Sequence, residues 1–457
     1  MTAVLAAPSA APTAAPRRTP LARGYRFELV KLLSQWRVRL LILACWLAPA
    51  AFVIGVSNQS SLPVDTLFGR WMNASGWAGS LVTLGFCGSW ALPLLTSLVA
   101  GDVFAAEDRL GTWQHLLIAV RSPRRVFLAK ALASTSVLVV LLVGLAASSA
   151  LAGVLAVGDR GLVGLDGEPF TPAQAAVRVG LAWACALAPT LALAAVGLLG
   201  SVLLRRSPMG LLLPAVLALV FQLLQLLPLP VGLRLALPSY AFIAWKGLFT
   251  EPAQLRPLLI GIAVSLVWAI VVTALAYRVF VRRDFTNSSG DLPAPRTLAV
   301  GLVPLALLVV LGSALLTPFV AGTGAGITQS KLQDSLATSF AHLYRRQTAE
   351  LHRPAVTEAQ LHSSAACTKG DGTETASGPG NDWRCVVTWQ LPGISADTAT
   401  GQAIYQLDVH ADGRYIADGD GPKDVNGYYQ LRTSDGDAPN PLWQFDGTVD
   451  LLTVRKG

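Results

Sequence analysis

Two groups of residues have the types and spacing for chemistry. The first lies in the run 101–130, GDVFAAEDRLGTWQHLLIAVRSPRRVFLAK. It places Glu107, Asp108 and Arg109 next to Gly111, Thr112 and Trp113, followed by Leu116 and Leu117, then Pro123, Arg124, Arg125 and Lys130. The charges suit ion pairing with a soluble protein, the Trp and Leu side chains suit an apolar groove, and Gly111 suits a tight break in the chain. The second group is Cys367 and Cys385, the only cysteines in a polar stretch of the chain. Such a pair reads as a disulfide if that stretch lies outside the cytosol.

Other reactive patterns are missing. The sequence holds no Gly-x-x-x-x-Gly-Lys-Ser/Thr nucleotide loop, no His-Glu-x-x-His and no paired Cys-x-x-Cys. His115, His342, His352, His362 and His410 are scattered and read as surface histidines. The run Asp418–Asp424 resembles a calcium-loop fragment but lacks the spaced ligands and closing Glu of an EF-hand, so it reads as a solvated turn. Neither a metal site nor a catalytic residue is expected. Cys45, Cys87 and Cys185 sit in apolar runs and read as small hydrophobes.

The elements that must carry the first group are membrane helices. The chain has 457 residues, 53% hydrophobic and only 14% charged, where a soluble domain is about 25% charged. Apolar runs cover approximately 40–56, 77–100, 131–157, 172–204, 209–229, 257–280 and 298–319, which predicts seven spans. Thr171-Pro172-Ala173-Gln174 is a capping box with Pro at the first helical position and opens the fourth run. Residues 1–20 read as a disordered tail rather than a twin-arginine signal. Residues 21–39 read as an amphipathic helix, with Tyr25, Leu29, Leu32, Leu33 and Trp36 on one face and arginines around the rest, suited to a headgroup layer. The first run reads as an uncleaved span.

Charge is divided unevenly. Residues 1–317 carry 24 Lys/Arg and 11 Asp/Glu, and residues 318–457 carry 11 and 16. The basic balance therefore reflects Arg beside membrane spans and does not argue for nucleic acid. With the N-terminus inside, inner flanks hold 18 Lys/Arg and outer flanks 6, the asymmetry of a cytoplasmic N-terminus. Seven spans then put the C-terminal region outside, where Cys367 and Cys385 can be oxidised. The spans carry no ionisable group in their middles, which argues against self-powered ion coupling. Gln222 and Gln225 read as hydrogen-bonding glue between helices.

Residues 231–256, before the sixth run, read as a short, partly re-entrant helix lying at the outer surface. Residues 286–319 read as a linker and a seventh span. Residues 320–457 read as a small α+β domain. It has a helix over 330–353, strands at 383–389, 403–409, 414–417 and 443–451, and a hairpin turn at Ala411-Asp412-Gly413.

The run Glu107–Trp113, the Leu116-Leu117 pair, Pro123-Arg124-Arg125 and Lys130 resemble the cytoplasmic signature of type-2 ABC exporter permeases. The interfacial N-terminal helix, six spans, a long outer loop before the sixth and Arg282-Arg283-Asp284 after it also look like that family. The resemblance covers roughly residues 21–285. It implies a six-span permease core over 40–285 and a coupling loop at 101–130 that docks into a separate ATPase subunit. Glu107, Gly111 and Thr112 would form the docking turn, with Arg124 and Arg125 as inner anchors. It also implies a second permease copy. No cofactor is expected in this chain, ATP and magnesium being held by the partner. The seventh span and outer domain depart from the family pattern. Long apolar spans favour a hydrophobic or amphipathic cargo. High Ala, Leu, Arg and Gly usage suits a GC-rich bacterial source, hence the plasma membrane. The alternative reading is a membrane-anchored sensor or assembly factor that acts through its outer domain.

Overall fold

Runs of Leu, Ala and Val about 20 residues long close their backbone hydrogen bonds most simply as helices. The computed structural model describes residues 20–59, 67–120, 122–204, 209–283, 285, 294–321, 326–372, 374–390, 400–434 and 436–452. The tail over 1–19, Arg205, Arg206, Asp284 and the linker 286–293 lie outside the described residues.

α1 (Leu21–Ser34) stops where Gln35 becomes extended (φ −70°, ψ 126°), and α2 (Trp36–Ser57) starts at the next residue. The helix expected over 21–39 is therefore two helices. Arg37 and Arg39 hold the corner, donating to Gln35 Oε1 (3.0 Å) and to the Leu33 carbonyl (2.8 Å). α3 (Leu67–Ala74) and α4 (Gly76–Phe86) lead through a π-turn at Cys87–Ala91 into α5 (Leu92–Ala100). Two short helices follow, α6 (Ala105–Leu110) and α7 (Trp113–Val120), and then the 35-residue α8 (Pro123–Val157). A small hairpin, β1 (Leu162–Val163) and β2 (Pro169–Phe170), precedes α9 (Pro172–Cys185). The expected capping box is present: Gln174 N–H donates to Thr171 Oγ1 (3.3 Å) and Thr171 N–H to Gln174 Oε1 (2.9 Å).

α10 (Leu187–Leu204) is buried on nearly every side. α11 (Met209–Leu226), α12 (Val231–Leu235), α13 (Ala241–Ala244), α14 (Leu255–Val281) and α15 (Ala294–Ala321) complete the helical part. Close approach rests on small residues. A Cβ on Gly153 would lie 2.0 Å from the Gly76 carbonyl oxygen, so α4 and α8 touch backbone to backbone only because both positions are glycine. Beside them, Ser80 bonds Ser149 (3.0 Å) and accepts from Trp183 Nε1 (2.9 Å).

Among the described residues, six stretches are long and apolar enough to cross a membrane: Trp36–Ser57, Gly76–Leu110, Pro123–Val157, Pro172–Leu204, Leu255–Val281 and Ala299–Pro318. The fifth expected run is α11, the 18-residue helix Met209–Leu226, apolar over Leu211–Leu226 among the described residues and ended ahead of Pro228 and Pro230. Gln222 and Gln225 do join elements, donating to the carbonyls of Ser89 (3.3 Å) and Arg234 (3.1 Å).

The segment 231–256 is not a surface helix. It folds as α12, a 3-10 turn at Pro238–Tyr240, α13 and a 3-10 turn at Trp245–Phe249, with Leu235, Tyr240, Phe242, Trp245 and Phe249 buried. The C-terminal domain covers it. Lys246 pairs with Asp412 (3.1 Å), Arg234 donates to the Ala411 carbonyl, and Gln254 donates to the Thr448 carbonyl (3.2 Å).

That domain is α+β, as its patterning predicts. α16 (Gln329–Glu350) and α17 (Glu358–Leu361) precede β3 (Ser364–Lys369), β4 (Gly380–Gln390), β5 (Thr400–Val409) and β6 (Arg414–Gly419). Then come α18 (Lys423–Asn426), a small hairpin of β7 (Gln430–Thr433) and β8 (Gly436–Pro439), and β9 (Gln444–Thr448). β3, β4, β5, β6 and β9 form one antiparallel sheet in that order. α16 packs on it through Phe340, whose ring lies 4.6 Å from Trp389. Cys367 and Cys385 sit directly opposite on β3 and β4 and form a disulfide.

Candidate functional site

The run 101–130 folds as two short helices split by a left-handed residue. Gly111 closes α6 at φ 64°, a conformation that costs a side chain about 1–2 kcal/mol and glycine nothing. Pro123 begins α8, where its missing N–H is no loss.

Glu107 points inward and is only 1% exposed. Its Oε1 accepts from Lys130 (2.7 Å) and from Lys31, and its Oε2 accepts from Thr112 Oγ1. Lys130 is 2% exposed and also donates to Glu28 Oε2 at 2.9 Å. This buried network links α6 to α1 and α8. Such a network adds little net stability when intact, but losing one member strands a buried charge.

Asp108 makes the second link. Arg283, just beyond α14, donates to both of its carboxylate oxygens, one at 3.0 Å, and Trp113 Nε1 donates to Oδ1 at 2.8 Å. The Arg283 guanidinium lies 5.6 Å from the Trp113 ring and 5.2 Å from Phe285. Trp113 is buried among Phe104, Phe280 and Phe285, with ring centres 6.3, 5.4 and 5.4 Å away. A third link joins Arg37 to the buried Asp102.

The predicted residues thus divide into three sets. Glu107, Asp108 and Trp113 are bound within the protein. Leu116, Leu117, Pro123 and Arg125 are half-buried, and Thr112 is half-buried under Glu107. Arg109 and Gly111 face outward together with Leu110 (61% exposed) and Ile118 (72% exposed), two apolar residues outside the predicted set. Between α1 and α7 runs a groove of about 420 Å³, lined by Phe27, Leu116, Ala119, Val120 and Val126.

Glu28, Lys31, Arg37 and Asp102 complete the network and also lie outside the predicted set. One signal was available for Glu28: it is the only acid among residues 1–50, next to Leu29 and Leu32 on the apolar face of a basic helix. No family model and no curated protein matches the sequence.

Proposed function

We propose that the protein is the permease subunit of an ATP-driven exporter, with α6, Gly111 and α7 forming the element that docks a separate ATPase. The reading rests on the sequence resemblance and on one structural observation: α6 is tied by buried or half-buried ion pairs to α1, α8 and the end of α14. A push on such a tightly bound element reaches three others at once. Its outer face offers Arg109 for charge and Leu110 and Ile118 for an apolar groove. ATP and magnesium belong to the partner. A second permease copy completes the translocation path, and the exposed apolar sides of α2, α14 and α15 face lipid. In this reading α11 also crosses, as a shorter seventh span, so that α6–α7 is cytoplasmic and the C-terminal domain extracytoplasmic; the membrane is the plasma membrane and the cargo is hydrophobic or amphipathic.

The test is a photoreactive amino acid placed at Ile118 and illuminated in the native host. The expected result is a crosslink to a nucleotide-binding subunit that is absent when the probe sits at buried Val137. Equal labelling from both positions, or no nucleotide-binding subunit from Ile118, goes against the proposal.

A further inference from the structure

At the far end of α8, about 40 Å from Lys130 at 1.5 Å per residue, a histidine and two carboxylates from three elements converge. Glu168 lies in the β1–β2 hairpin, His342 on α16 and Glu358 at the start of α17. One ligand atom from each lies within 4.8 Å of the other two. We propose that these residues bind a divalent transition cation of the zinc class, clamping the outer hairpin to the C-terminal domain.

The argument begins with the imidazole. His342 is only 4% exposed. Its Nδ1 lies 3.1 Å from the Asp166 carbonyl oxygen. A carbonyl only accepts, so Nδ1 carries a proton, and Nε2 is the ring nitrogen left to offer a lone pair to a cation. A backbone carbonyl holding the far ring nitrogen is the usual support of a metal-binding histidine. Nε2 faces Glu358 Oε1 at 3.4 Å and Glu168 Oε2 at 3.8 Å. Glu168 Oε2 is buried and has no hydrogen-bond partner.

The spacing suits the cation. Donors about 2.0–2.1 Å from a tetrahedral ion stand about 3.4 Å apart, so small side-chain shifts close the site. Two carboxylates neutralise a divalent charge, and solvent supplies the fourth position. The imidazole favours zinc-like ions over calcium or magnesium. Asp166 is a support, its carboxylate accepting from the N–H groups of Glu251 (2.6 Å) and Glu168 (3.2 Å). Arg345 is the competitor, with Nη1 2.7 Å from Glu358 Oε1 and 3.6 Å from Glu168 Oε2. It is 40% exposed and free to swing into solvent when a cation replaces it.

The test uses full-length protein in detergent, purified without a histidine tag and stripped with a chelator. Cobalt(II) is titrated while its visible ligand-field bands are followed, and zinc is then added in competition. One tetrahedral cobalt per chain, displaced by zinc, is the expected result. Glu168→Gln with Glu358→Gln should weaken binding by more than the roughly 10–100-fold typical of losing an outer support, with helix content unchanged. Arg345→Gln should tighten binding, an effect that a purely structural ion-pair network does not produce. No cobalt binding by the wild type overturns the proposal, as does binding unchanged in the double variant or not tightened in Arg345→Gln. If the double variant misfolds, Glu358→Gln alone decides, since its carboxylate is 44% exposed. Unchanged affinity there is equally fatal.

Discussion

Lys130 bears the largest electrostatic load at the α6–α7 end, neutralising the buried Glu28 and, together with Lys31, the buried Glu107. Lys130→Met should therefore cost about 3–5 kcal/mol, the usual penalty for stranding a buried charge. Denaturant unfolding in detergent reads it directly, and a loss below about 1 kcal/mol would mean that water reaches the carboxylates. Asp412 supports a pH prediction at the other end. Burial alone would raise its pKa, but Lys246 and Arg414 hold it well below the usual carboxylate range. A carboxylate with a depressed folded pKa adds stability that is complete above its unfolded value and is lost as pH falls below about 4. Asp412→Asn should thus be less stable than wild type at pH 7, with the gap narrowing as pH drops below about 4. Thermal unfolding of both proteins across pH checks this, and a gap that widens in acid contradicts it.

Elements were easier to read from the sequence than their contacts. The Thr171–Gln174 capping box, the cross-strand cysteine pair and the Asp412 hairpin all follow from local chemistry, and all are present. The corner at Gln35 was hidden because residues 21–39 keep one amphipathic period across it, and only the tertiary contacts of Arg37 reveal the break. The burial of 231–256 was hidden because its cover, the turn at Asp412 and strand β9, lies more than 150 residues further along. For the same reason Glu107 read as a charge offered outward: its partners Lys31 and Lys130 come from α1 and α8, and sequence spacing carries no sign of them. Two elements yield predictions. Gly111→Ala places a side chain in open space at positive φ, so its cost of about 1–2 kcal/mol is purely backbone and should appear as lost stability without repacking. Replacing Cys367 and Cys385 by Ser reopens a loop with a sequence separation of 18 and should destabilise the C-terminal domain by about 3 kcal/mol. Unfolding with and without reductant tests this, since reductant should affect wild type alone.

On the scale of the whole molecule, a helical bundle joins two polar ends. One end is tied through α6 to α1, α8 and α14; the other carries a disulfide-bonded domain seated on 231–256 and on the β1–β2 hairpin. Our account makes the first end the place where energy from ATP enters. The most direct test is purification of tagged wild type and a Leu110→Glu, Ile118→Glu variant from the native host in mild detergent. Both residues are exposed and outside the ion-pair network, so the variant should fold. An ATPase subunit should come down with the wild type and none with the variant. A folded wild type that brings down no ATPase, or a variant that retains it, contradicts the account.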